Sequence, residues 1–171
     1  LTEDLFRMHP SAKYADYYER TIYNHILSTQ NPETGGYVYF TPIRPRSYRV
    51  YSAPNEAMWC CVGTGMENHG KYNEFIYTHQ HDSLFVNLFI ASTLNWEEKG
   101  IQLTQQTKFP YEESTTLTIN EAASSFTLMV RYPYWVSDGA LKIILNGKPV
   151  AYSAHPSSYI TINRDWKKGD V

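Results

Sequence analysis

The stretch YNEFIYTHQHDSLFVNLFIAS (Tyr72–Ser92) divides this chain into two kinds of pattern. Before His81 apolar residues recur every three or four positions. Met66, Tyr72, Phe75 and Ile76 can share one face of a helix predicted over about Thr64 to Thr78. Upstream, LTEDLFRMH reads as a helix end halted by Pro10. Ser11 can cap a second helix, SAKYADYYERTIYNHILSTQ, whose apolar face would be Tyr14, Tyr18, Ile22 and Ile26. NPETGG then reads as a turn, YVYF as a short strand, and TPIRPRSYRV as too rich in proline for regular structure.

After His81 the period changes to that of strands. SLFVNLFIAS, IQLTQQTKF, STTLTIN, SFTLMVRYP, LKIILNGKPV and SYITINRDW are short runs rich in β-branched and aromatic residues, and Asn146-Gly147 signals a hairpin. Closely spaced strands of this kind predict an antiparallel β-sandwich. The expected class is therefore α+β, with a helical part over 1–81 and a β-sandwich over 82–171. Three helices with large apolar faces cannot cover themselves. Leu1 opens inside a helix and KKGDV stops before an expected strand, so the chain reads as a piece of a larger protein without a signal peptide.

Composition narrows the partners. A net charge of −2 argues against nucleic acid and anionic membranes, which call for a clustered basic face. No apolar run approaches the ~20 residues of a membrane helix. The 15 Tyr, 7 Phe and 4 Trp suit carbohydrate handling, because ring faces stack on sugars while phenols reach their polar edges. Tyrosine also simply favours strands, and composition alone leaves that reading ahead.

The chain's only two cysteines, Cys60 and Cys61, are consecutive. Neighbouring Cα atoms lie about 3.8 Å apart, short of the ~4.4–6.8 Å usual for a disulfide. Two small buried hydrophobes are the common fate of such thiols. Their position between an irregular segment and a helix start argues for reactivity or metal binding instead. Spacing alone does not close a zinc site. His79 and His81 lie a helix away, and Glu67, His69 and Glu74 are more often solvated or packed than ligating.

WCCVGTGMENHGKYNEFIY resembles the double-cysteine motif of the β-L-arabinofuranosidase-type glycoside hydrolases (families 127 and 146, formerly a family of unknown function). LTEDLFRMHPSAKYADYYERTIYNHIL resembles the segment that follows an upstream Glu-x-Cys motif in those proteins, and NPETGGYVYFTPIRP resembles their strand-loop segment. The resemblance covers essentially the whole chain. It implies the last helices of an (α/α)6 barrel followed by a β-sandwich. It also implies a retaining hydrolase that removes L-arabinofuranose through a zinc-bound cysteine, where most retaining glycosidases use a carboxylate. Carried over, Cys60 would be nucleophile and zinc ligand, Cys61 a second zinc ligand, and Tyr39 a residue of the sugar pocket. Trp59 could stack on substrate or belong to a core. The remaining ligands, a glutamate and a cysteine, and the acid/base glutamate would lie upstream of Leu1.

The implied partner is an arabinose-containing oligo- or polysaccharide, and the implied setting is periplasmic or secreted. This chain alone would be inactive, would hold zinc poorly and would self-associate through its bare apolar face. Two other readings remain: a carbohydrate-binding sandwich, or a structural domain with inert cysteines.

Overall fold

The computed structural model describes residues 1–171. It is a mixed α+β structure with few helices and mainly antiparallel strand pairing. The helices are α1 (Thr2–Met8), α2 (Ala12–Asn24) and α3 (Cys60–Gly70). No helix is long and apolar enough to cross a membrane. Two compact units divide the chain, one of residues 1–16 with 75–171 and the other of residues 17–74.

The first unit is built on two sheets. One runs in the order β1 (Tyr77–Gln80), β2 (Ser83–Val86), β6 (Phe126–Tyr132), β9 (Ser158–Arg164). The other runs β3 (Ser92–Trp96), β4 (Ile101–Thr107), β5 (Thr115–Ala122), and a separate hairpin joins β7 (Ile143–Leu145) to β8 (Lys148–Val150). That hairpin turns at Asn146 and Gly147 with φ of 50° and 76°, the left-handed conformation expected of this pair. Leu84, Val86, Phe126, Leu128 and Val130 of the first sheet pool with Trp96, Ile101, Leu103 and Ile119 of the second into one core. Trp166 closes it, stacking on Phe126 at 5.5 Å and donating its indole N–H to the Phe126 carbonyl at 2.9 Å.

The run SLFV lacks alternation because both faces of its strand are covered. Leu84 and Val86 face the shared core, whereas Phe85 lies on the other side. There Phe6 of α1 meets Phe75, Phe85 and Tyr159 edge-on at 5.1, 5.5 and 6.3 Å.

Three expectations change. β2 and β6 pair in parallel within sheets otherwise antiparallel. A parallel pair needs a long crossover, and residues 87–125 supply one by containing the whole second sheet. The helix expected to run to Thr78 stops at Gly70, and β1 already begins at Tyr77. Glycine is a poor helix former, and the segment 77–80 finds an antiparallel partner in β2 across a turn at His81, whose φ is 53°.

The buried line of α2 is also different. Ala12, Ala15, Asp16, Glu19 and Ile22 are buried, whereas Tyr14 and Tyr18 are only partly covered. Ile26 falls in a 3₁₀ turn beyond the helix end. Burial follows the i, i+3, i+4 spacing, but it includes two carboxylates that hydropathy assigns to solvent. Asp16 is admitted because Arg131, fully buried, meets its Oδ1 at 2.6 Å.

Candidate active site

The second unit positions the cysteines. Segment Gly36–Val38 is clamped by backbone contacts on both sides. Val38 N–H donates to the Thr29 carbonyl at 2.9 Å, and the Ser52 amide donates to the Tyr37 carbonyl at 2.8 Å. The Tyr37 amide in turn donates to Ser52 Oγ at 3.0 Å. Gly36 is required there, because a Cβ would sit 2.2 Å from the Ser52 carbonyl oxygen. Tyr39 follows directly, at the exit of this clamp.

Helix α3 begins four residues earlier than Thr64, with Trp59 as its N-cap and Cys60 and Cys61 as its first two residues. Gly63 and Gly65 therefore lie within the helix. Gly65 serves packing instead: a Cβ there would approach the Tyr37 ring to 2.6 Å. Val62 and Gly65 are the buried residues of this helix. Gly65→Ala is therefore expected to destabilise the unit by about 1–3 kcal/mol through overpacking, despite alanine's better helix propensity. Urea unfolding of the variant checks this, and a gain in stability would refute the contact.

Both thiols are free, Cys60 exposed and Cys61 half-buried, with their sulfurs 3.8 Å apart. Two thiolates on one tetrahedral zinc, each at about 2.3 Å, stand about 3.8 Å apart. The pair thus fits one edge of a zinc tetrahedron. No group of three or more His, Cys, Asp or Glu side chains is arranged to hold a metal ion within the chain. His69 Nδ1 is instead 2.6 Å from the Tyr72 hydroxyl, and its ring packs 5.6 Å from Tyr37. His79 packs on Trp96 at 4.8 Å in the other unit. Hydrogen bonding to Cys60, with some burial, holds the Cys61 thiol above its ordinary pKa. A bound cation would reverse that preference by stabilising thiolate.

Tyr39 sits close enough to the pair that charge on Cys60, and next on Cys61, keeps its phenol protonated above the usual range. Its ring meets Trp59 edge-on at 5.9 Å and Phe40 at 4.6 Å. Together with Pro42, Tyr48 and Val50 these three side chains line a cavity of about 410 Å³. The structure therefore brings Tyr39, Trp59, Cys60 and Cys61 into one place. Sequence reasoning missed Phe40, Tyr48 and Val50. The available signal was a set of large apolar side chains in a segment too irregular to bury them.

Residues 1–74 match the profile of the β-L-arabinofuranosidase GH127 catalytic domain, and residues 83–171 that of the GH127 middle domain. Among solved structures, a chain described as a glycoside hydrolase is 28% identical with a TM-score of 0.83, over 99% of this chain and 30% of that one. A GH127 β-arabinofuranosidase, BT3674, is likewise 28% identical with a TM-score of 0.82, over 99% and 29%. Ara127N-Se, a GH127 β-L-arabinofuranosidase from Geobacillus stearothermophilus T6, shares the fold at 23% identity and a TM-score of 0.82, over 99% and 28%. The chain thus spans about three tenths of the length of each. No curated protein matches it. The two matched segments, 1–74 and 83–171, place the chain in the GH127 β-L-arabinofuranosidase family of glycoside hydrolases.

Proposed function

We propose that this chain carries the nucleophile of a retaining glycoside hydrolase that removes L-arabinofuranose from oligo- or polysaccharides. The observation that carries the reading is the pair of free sulfurs 3.8 Å apart at the start of α3, in a segment of the GH127 catalytic domain. Cys60, the more exposed thiol, is the nucleophile, and Cys60 with Cys61 holds zinc. Tyr39 lines the sugar pocket. The helices belong to an (α/α)6 barrel, and the two sheets with their common core are a β-sandwich. The enzyme works in the periplasm or outside the cell, where such glycans are met.

Cys60 Sγ attacks the anomeric carbon, forming a C–S bond as the glycosidic C–O bond breaks. The leaving oxygen takes a proton from a glutamic acid, the role the family resemblance gives to a residue upstream of Leu1. The same carboxylate then draws a proton from water, which displaces the thiolate and restores the original configuration. Zinc, when bound, keeps both sulfurs deprotonated at neutral pH. Tyr39, held protonated beside the thiols, is a hydrogen-bond donor toward charge on Cys60 or toward a sugar oxygen. Its ring and that of Trp59 offer apolar surface to the C–H face of the furanose.

The 171-residue chain by itself is expected to hold substoichiometric zinc and to show no turnover of a nitrophenyl arabinofuranoside. Two thiolates lack the remaining ligands that make a zinc site tight. A missing general acid removes a further 10²–10⁴-fold, approximately. Elemental analysis and a hydrolysis assay check this together. Stoichiometric zinc with turnover would move the active site entirely into these residues.

A further inference from the structure

We propose that Cys60, Cys61 and the aromatic cavity beside them form a two-point capture site for aryl arsenic(III) oxides. The condensation joins one arsenical to both side chains. Two As–S bonds form while the As=O bond and both S–H bonds break, and the oxygen leaves with the two protons as water. Arsenic remains trivalent, so no oxidant or reductant takes part.

Two independent observations carry this. The first is the thiol pair: both free, at least partly accessible, and 3.8 Å apart on adjacent residues at the start of α3. The geometry suits bridging by a third atom better than bonding to each other, because consecutive Cα atoms are too close for an ordinary disulfide. The second is the cavity of about 410 Å³, lined by Tyr39, Phe40, Tyr48 and Trp59 with Pro42 and Val50. Trp59 immediately precedes Cys60, and the Tyr39 ring meets that of Trp59 edge-on at 5.9 Å. A ring carried on the captured arsenic therefore has an aromatic wall to pack against, at a volume within the ~300–1,000 Å³ typical of small-molecule sites. An inorganic or methyl arsenical gains only the two sulfur bonds.

The test uses the purified, chelator-treated 171-residue chain with phenylarsine oxide, and methylarsine oxide as the ring-free control. Intact-mass spectrometry should show one arsenical per chain. Release into excess glutathione should be slower by roughly 10²–10⁴-fold than from Cys60→Ser or Cys61→Ser, because the second sulfur recaptures a half-released arsenical. Equal release rates would overturn the two-point site. Should a serine variant fail to fold, wild-type chain carrying one alkyl group per molecule serves the same comparison. Tyr48→Ala should reduce the preference for phenyl over methyl by about 2–10-fold, the worth of one aromatic contact. An unchanged preference would remove the cavity from the site. Capture requires no glycoside cleavage, so its failure would leave the proposed function standing, and loss of that function would leave capture standing.

Discussion

Replacing Cys60 by alanine in the enzyme that carries this chain is expected to lower arabinofuranoside cleavage by at least about 10⁴-fold, the order seen when a covalent nucleophile is removed. The fold should survive. Cys60 is an exposed side chain in the first turn of α3, where alanine is a good helix former and leaves no cavity. The loss should therefore appear in kcat with little change in the unfolding midpoint. Cys61→Ala should act differently. Its sulfur is the second of the two available for zinc, so activity should fall with metal content and recover in part when zinc is added. Wild-type turnover by the Cys60 variant would rule out this nucleophile. Recovery of activity by both variants on adding zinc would rule out the division of roles.

The largest expected effect on stability lies elsewhere, at Arg131. Its guanidinium is fully buried. Nη1 meets Asp16 Oδ1 at 2.6 Å, and Nε donates to the Asn87 carbonyl at 2.6 Å. Asp16 is satisfied further by the Ser157 hydroxyl at 2.6 Å and the Tyr134 amide at 3.3 Å. Asn87 Oδ1 accepts from the Tyr159 hydroxyl at 2.6 Å, and burial raises the pKa of that phenol strongly. The Phe89 ring lies 5.4 Å from the guanidinium carbon. Removing one partner strands a charge in a site that excludes water, so Asp16→Ala or Arg131→Ala should each cost about 3–5 kcal/mol. That is a large share of the ~5–15 kcal/mol that holds an ordinary domain together. Replacing both at once, as Asp16→Leu with Arg131→Met, should cost less than either alanine substitution, because no charge is left unpaired. Denaturant unfolding of the three variants decides it. A mild loss in both single variants would show that water reaches the pair.

How much of this was legible beforehand differs by element. The change of period near His81 marked where the β-rich region begins to within a few residues, because alternation and helical spacing are both local properties of the chain. Asn146-Gly147 specified its hairpin for the same reason: two residues with positive φ are a local matter. The cysteine pair was legible as an opening to chemistry, since consecutive thiols exclude an ordinary disulfide by backbone geometry alone. Its family motif supplied the proposed roles, which composition could not.

Tertiary structure decided the rest. The sulfur separation depends on how α3 starts, and the close packing of that helix depends on Gly65 allowing the Tyr37 ring to approach, a contact between residues 28 apart in the chain. The cavity depends on an irregular segment folding so that Phe40, Tyr48 and Val50 meet Trp59, and no periodicity encodes such a path. The parallel β2–β6 pairing follows from where the second sheet is inserted. Asp16 joins the buried line of α2 because Arg131, 115 residues away, arrives opposite it. Hydropathy sends a carboxylate to solvent, and only a partner brought by the fold reverses that preference. The sequence by itself therefore determined the local periods, the turn and the paired thiols, whereas the burial of charge, the strand direction and the walls of the site waited on contacts between residues remote from one another in the chain.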